Sequence, residues 1–153
     1  VDCAGQLLTS MKISIVSYQK NRNAELQGAE GEYLKRLSRH ANVERHAIGK
    51  WKDADGVPDR LLRGAYVIGL YIGGKQFTSE KLAGHLQQLM NQGRSHLVLV
   101  IGAAEGMPQG VERQVQERWS LSSLTFSHQL VRLLLLEALY RSFDILAGGR
   151  YHK

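Results

Sequence analysis

Five stretches of the chain carry residue types able to do chemistry. The first is Val98-Leu-Val-Ile-Gly-Ala-Ala-Glu-Gly106, an apolar run ending in small residues. Small side chains let a backbone come close to a ligand. The carboxyl end of a buried strand is where layered α/β folds seat ligands. The spacing is neither G-x-G-x-x-G nor a Walker loop, which disfavours dinucleotides and nucleoside triphosphates, and an ordinary strand–helix turn also favours glycine. The second is Ile72-Gly-Gly-Lys-Gln76, a glycine turn after another apolar run. Two such turns on adjacent parallel strands would face one crevice. The third, Trp119-Ser-Leu-Ser-Ser-Leu-Thr-Phe-Ser-His128, alternates leucine with hydroxyl residues. Its backbone suits an adenine edge and its leucines the ring faces, although on pattern alone an edge segment without ligand fits better. The fourth is the apolar helix after His128, where Glu137 and Arg141 lie one turn apart and can pair. The last is Tyr151-His152-Lys153: a ring to stack, an imidazole to move protons and a cation for phosphate, all suited to RNA. The competing fate is a frayed terminus.

These residues need elements to hold them. Lys12 to Tyr18 is β-branched and partly alternating, which predicts a strand. Leu26, Tyr33, Leu34 and Leu37 recur at helical spacing within Ala24 to His40, despite Gly28 and Gly31. Val43 to Ile48 is a weaker strand, 49–59 a loop and Arg60 to Arg63 a helical turn. Ala65 to Ile72 and His96 to Gly102 read as strands buried on both faces, the first ending at Gly73-Gly74. Ser79 is expected to cap a helix running to Gln92 and stopped by Gly93. Gly110 to Trp119 reads as a short helix, and Gln129 to Leu146 as a long one stopped by Gly148-Gly149. That last helix is apolar nearly all round, so a partner subunit is its expected cover. Alternating strands and helices predict an α/β fold with a mostly parallel sheet.

Composition narrows the function. The chain has 153 residues, the size of one domain. Twenty Lys and Arg against 14 acidic residues give a net charge of +6, which favours a phosphate-bearing partner, nucleic acid before an anionic membrane. Cys3 is the only cysteine, so no internal disulfide forms and a reducing, cytoplasmic setting fits. The six histidines lack metal-ligand spacing, and no metal is expected. The most apolar run, Leu130 to Tyr140, is broken by Arg132 and Glu137, and a spanning helix needs about 20 apolar residues. Residues 1–10 make a poor signal peptide and are expected to be an extension, with a single domain over 11–153.

Taken together, Val-Ile-Gly-x-x-x-Gly106, Ser-Leu-Ser-x-Leu-Thr125, His128-Gln-Leu-Val-Arg132, Glu137-x-x-Tyr140-Arg141 and Tyr151-His152-Lys153 resemble the RlmH type of SPOUT methyltransferase. Gly74-Lys-Gln-x-x-Ser-Glu80 and Tyr33-Leu-Lys-Arg-Leu37 fit the same pattern. The resemblance covers about residues 11 to 153. It implies an α/β SPOUT fold with a C-terminal trefoil knot, one of the rare knotted exceptions. It also implies methyl transfer from S-adenosylmethionine to N3 of a pseudouridine in 23S ribosomal RNA of the large subunit or assembled ribosome. The cofactor is then expected on Leu70 and Tyr71, on Gly102, Ala103 and Gly106, and on Leu121, Ser122, Ser123, Leu124, Thr125, Phe126 and Ser127. A homodimer is implied, with the last helix at its interface. The substrate site would lie between subunits, near His128, Arg141, Tyr151 and His152. Within it His152 is the expected base or proton relay, Tyr151 places the base and Arg141 holds a phosphate or carbonyl. His128 serves there or caps the last helix.

The chain departs from that family's usual residues at Tyr71 (aspartate), Ala103 (glycine) and Ser127 (proline). An alanine that needed positive φ or touched the cofactor would weaken binding. Two rival readings stay open. One is a non-catalytic RNA- or ribosome-binding protein on the same fold with a degenerate cofactor site. The other is a methyltransferase of the same superfamily acting on transfer RNA.

Overall fold

The computed structural model describes residues 11–19 and 24–152. The expected extension at 1–10, with Cys3, and the terminal Lys153 lie outside the described residues. Five strands form one sheet: β1 (Lys12–Tyr18), β2 (Asn42–Ile48), β3 (Tyr66–Gln76), β4 (His96–Ile101) and β5 (Glu117–Ser120). All pairs are parallel, in the order β2-β1-β4-β3-β5. Three long helices, α1 (Ala24–Leu37), α3 (Ser79–Asn91) and α5 (His128–Leu146), alternate with them. Single helical turns α2 (Asp59–Leu62) and α4 (Gln109–Glu112) serve as connectors.

Strand alternation sorts the core into two layers. Ile13 and Ile15 of β1, with Leu97, Leu99 and Ile101 of β4, pack beneath Leu135, Leu136, Leu139 and Phe143 of α5. Val16, Tyr18, Val98 and Val100 point to the opposite face, where Val57, Leu61 and Val111 from the connectors cover them. Central β4 is therefore buried on both sides and reads as an unbroken apolar run. α5 lies against α1 and α3, and none of its residues is fully exposed.

Three expectations need correction. β3 does not end at Gly73-Gly74 but runs on to Gln76, shifting its register against β5 between Leu70 and Lys75. Gly74 is required by proximity, since a Cβ there would lie 2.6 Å from the Trp119 backbone. Ser79 is not the cap of α3. Thr78 is, its hydroxyl accepting from the Lys81 amide at 3.2 Å, and Ser79 is the first helical residue. Finally, Gly110 to Trp119 is one helical turn followed by strand β5. Glu117 and Arg118 hide β5 from hydropathy patterning because it is a short edge strand with polar residues.

Two polar devices fix the frame. Arg132 of α5 is 4% exposed and Glu30 of α1 is 1% exposed. The Arg132 Nε donates to Glu30 Oε1 at 2.6 Å and its Nη1 donates to Ser17 Oγ of β1 at 2.9 Å. Arg45 adds a bond to the same carboxylate oxygen at 3.1 Å. At the other sheet edge, Glu117 accepts from Tyr66 and Trp119, each at 2.7 Å, and from His85. Burial pushes the Glu117 carboxyl up, but bonds from Trp119, Tyr66 and His85 outweigh it and hold the carboxyl below its ordinary value.

Removing one partner of a buried pair strands the other's charge. Glu30→Ala is therefore expected to cost about 3–5 kcal/mol in urea unfolding, with a smaller loss when Arg132→Met is added. A single-variant loss near zero would show the pair to be idle. For Glu117 the folded value is depressed, so its contribution is full above the unfolded value of about 4.3 and disappears as pH falls through the folded one. Stability measured against pH should decline on that acid limb, and Glu117→Gln should lower neutral-pH stability while flattening the decline.

Candidate functional site

The carboxyl end of β4 and the middle of β3 open into a cavity of about 680 Å³. That lies within the roughly 300–1,000 Å³ of small-molecule sites. Leu70, Tyr71 and Ile72 contribute from β3, and Ile101, Gly102, Ala103, Ala104, Gly106 and Met107 from β4 and the turn after it. The loop after β5 supplies Ser120, Leu121, Ser122, Leu124, Thr125, Phe126 and Ser127, and α5 supplies His128 and Val131. Eleven of the twelve residues expected to hold a cofactor thus converge on one space, while Ser123 is not among its walls. Ile72, Ile101, Ala104 and Ser120 lie inside the stretches singled out in the sequence but not among the expected contacts, whereas Met107 and Val131 were missed because their apolar character carries no chemical signal.

The turn after β4 is closed by reciprocal backbone bonds, Ala103 amide to Gly106 carbonyl at 3.0 Å and Gly106 amide to Ala103 carbonyl at 2.9 Å. Gly106 sits at φ +118°, a conformation that favours glycine. Ala103 is different. No described non-glycine residue has positive φ, so its methyl carries no backbone strain. The loop after β5 is braced by its own hydroxyls. Ser120 Oγ donates to the Ser122 carbonyl at 2.8 Å, and Ser122 Oγ accepts from the Leu124 amide at 3.0 Å. Ser127 caps α5 at φ −61°, a value proline also adopts, and its hydroxyl accepts from the Leu130 amide. Ile72 and Leu124 stand 63% and 68% exposed at the rim. Tyr71 turns its ring under the Arg118 guanidinium, 4.3 Å from the centroid. Burial pushes its phenol up against the opposing pull of Arg118, so it enters the site uncharged where aspartate would be anionic.

The other expected site residues form a separate group. Glu137 accepts from Arg141 at 2.6 and 3.0 Å, and the guanidinium lies over the Tyr151 ring at 4.7 Å. The Tyr151 hydroxyl donates to Glu137 at 3.2 Å and its amide donates to Asp144 at 2.9 Å. The bond to Tyr33, then burial and the Glu137 charge, push this phenol well above its ordinary value, so it is no base at neutral pH. Arg141 donates to His152 Nδ1 at 2.9 Å, and His152 Nε2 donates to Glu80 at 2.8 Å. The terminus is thus docked through residue 152 rather than frayed. At about 1.5 Å rise per residue, Arg141 lies roughly 20 Å along α5 from His128. Within one chain, His128 joins the cavity and Arg141, Tyr151 and His152 do not. Among the described residues, no group of three or more His, Cys, Asp or Glu could hold a metal.

Comparison with known proteins agrees with this architecture. Residues 11–152 match the family described as "Predicted SPOUT methyltransferase". Several relatives are each named ribosomal RNA large subunit methyltransferase H. The protein of Bifidobacterium animalis subsp. lactis is 40% identical, that of Bacillus thuringiensis subsp. konkukian 38% and that of Ruminiclostridium cellulolyticum 33%. Each alignment covers 94% of this chain and the whole of the relative. A match spanning the full parallel sheet and the cavity at its strand ends makes the chain a member of the SPOUT methyltransferase family.

Proposed function

We propose that the chain transfers a methyl group from S-adenosylmethionine to N3 of a pseudouridine in 23S ribosomal RNA of the large subunit. The observation that carries this reading is the open cavity between the turn after β4 and the loop after β5. The residues fit the cofactor. The cavity accommodates an adenosine-sized molecule, Leu121 and Leu124 offer apolar cover for a ring, and the Ala103 methyl leaves the space open. Bound there, S-adenosylmethionine supplies a methyl on a sulfonium that leaves as a neutral thioether. The relatives' names support large-subunit ribosomal RNA as substrate, and the +6 charge suits its phosphates. No described helix is long and apolar enough to cross a membrane. A ribosomal substrate supports a cytoplasmic setting. Family membership also supports a trefoil knot in the C-terminal segments.

The chain's own residues then have three tasks. The Gly102–Gly106 turn and the Ser120–Ser127 loop hold the donor and exclude water. An imidazole takes the N3 proton, a step worth about 10²–10⁴-fold. Alignment of the acceptor supplies about 7–11 kcal/mol. Because Arg141, Tyr151 and His152 lie far from their own cavity, we assign them to the cavity of a second copy. There Arg141 holds a phosphate or carbonyl, Tyr151 places the base, and His152 joins His128 as a proton acceptor. A homodimer packed through α5 meets that requirement.

Ribosomes lacking the modification, incubated with labelled S-adenosylmethionine, should gain one methyl on a 23S pseudouridine by mass spectrometry. Label on transfer RNA, or none, contradicts the reading. Forcing alanine into the φ of Gly106 costs about 1–2 kcal/mol, so Gly106→Ala should weaken cofactor binding about tenfold in calorimetry, whereas Ala103→Gly should change it less than about threefold. Mixed dimers pairing an Arg141→Ala protomer with a Gly106→Ala protomer keep one intact site if the site spans two chains. Assayed with S-adenosylmethionine well below its dissociation constant, they should retain about half the activity, and a site within one chain would leave less than about a tenth.

A further inference from the structure

The docked C-terminal segment leaves one residue without a task. Glu80, in the first turn of α3, meets His152 from 72 positions away in the sequence. An anion suits the N-terminus of a helix, which is reason enough for an acidic residue there. That role does not require an imidazole. The bond from His152, the foremost of several, holds the Glu80 carboxyl below its ordinary value, so it is the anion that meets the ring. The tail does not depend on Glu80 to dock. The Tyr151 amide donates to Asp144 and its hydroxyl to Glu137, and its ring packs edge-on against Tyr140 at 4.7 Å between centroids. With residue 151 fixed in this way, the Glu80 bond acts on the direction of the His152 ring. The Glu80 side chain is 66% exposed, and an exposed pair of this kind adds little to stability.

The partners of the ring decide its tautomer. Arginine has donors and no acceptor, and it stays protonated. Arg141 Nη1 lies 2.9 Å from Nδ1, so that nitrogen is the one without hydrogen. The hydrogen is then on Nε2, where Glu80 accepts it at 2.8 Å. We propose that Glu80 is a positioning residue for His152: it holds Nε2–H, which makes Nδ1 the atom that takes the N3 proton, and Arg141 covers Nδ1 until the RNA engages the guanidinium. The inference rests on the reading of the chain as a ribosomal RNA methyltransferase with His152 as a proton acceptor. Nε and Nη2 of Arg141 grip Glu137, which leaves Nη1, on His152, as the arm that an RNA phosphate or carbonyl competes for. Once that arm is drawn off, the Nδ1 lone pair is free and the ring is still held by Glu80. The N3 proton passes to Nδ1, the electron pair left on N3 bonds the methyl carbon, and the carbon–sulfur pair stays on sulfur. Glu80 faces the positive charge that the ring then carries, the service a carboxylate gives a histidine base in other enzymes. The proton leaves to water when the product departs.

Two measurements test the assignment. In the first, the His152 ring of the ¹⁵N-labelled full chain is brought to its neutral form and its two nitrogens are read by NMR. The proton should sit on Nε2, and Glu80→Ala should shift the Nε2 signal while Arg141→Ala shifts the Nδ1 signal. A proton on Nδ1, or an Nε2 signal indifferent to Glu80→Ala, overturns the proposal. In the second, methylation of ribosomes is followed. Glu80→Ala should lower kcat about tenfold with KM for ribosomes within about twofold, a part of the roughly 10²–10⁴-fold that a general base supplies. Glu80→Gln, which keeps an acceptor for Nε2–H, should recover about threefold of that loss. In a His152→Ala background, Glu80→Ala should lower kcat by less than about twofold, because the two residues act as a unit. A further loss of the original size in that background, or a loss in KM alone, would make Glu80 a helix-end charge or a docking tie and overturn the proposal. Should the wild-type chain methylate no ribosomal RNA while the ring spectrum is as expected, it is the functional reading that fails and not the Glu80–His152 pair.

Discussion

The guanidinium of Arg132 ties α5 to α1 and to β1. It holds Glu30 of α1 at 2.6 Å and Ser17 of β1 at 2.9 Å from within α5. The first turn of α5, with His128 and Val131, walls the cavity. A charge buried this deeply is tolerated only when its bonds are met. That condition fixes where α5 begins relative to β1, and so where His128 stands.

The rest of the site is built where β4 ends beside a β3 that continues past it. β4, buried on both faces, delivers its small-residue turn to the crevice at its carboxyl end. Gly106 at φ +118° lets that turn close on itself through the two bonds with Ala103. β5 is anchored by Glu117 to Tyr66 and His85, and it launches the loop that faces the turn. Ala103, Ala104 and His128 line this cavity and a smaller one of about 170 Å³ beside it.

Much of this was legible in the sequence, for identifiable reasons. Buried strands β3 and β4 announce themselves as apolar runs, and α5 as a long apolar helix. The turn at Gly102 and the loop to Ser127 were marked by small and hydroxyl residues. β5 escaped because four residues with two charges carry no apolar pattern, and the Gly73-Gly74 pair misled because close packing against Trp119, not a turn, explains Gly74. Arg132 looked like a mere interruption of an apolar run, since its partners lie 102 and 115 positions away. The residues Arg141, Tyr151 and His152 were recognised as a group, and the structure holds them as one, but nothing in their spacing told that α5 carries them away from their own cavity.

The account stands on the larger cavity being a receptor for an adenosyl sulfonium. Isothermal titration of the full chain with S-adenosylmethionine tests this directly. The account predicts saturable heat with one molecule bound per chain, abolished when Leu121 and Leu124 are both replaced by aspartate. Absence of heat at millimolar ligand from a folded wild-type chain would contradict it.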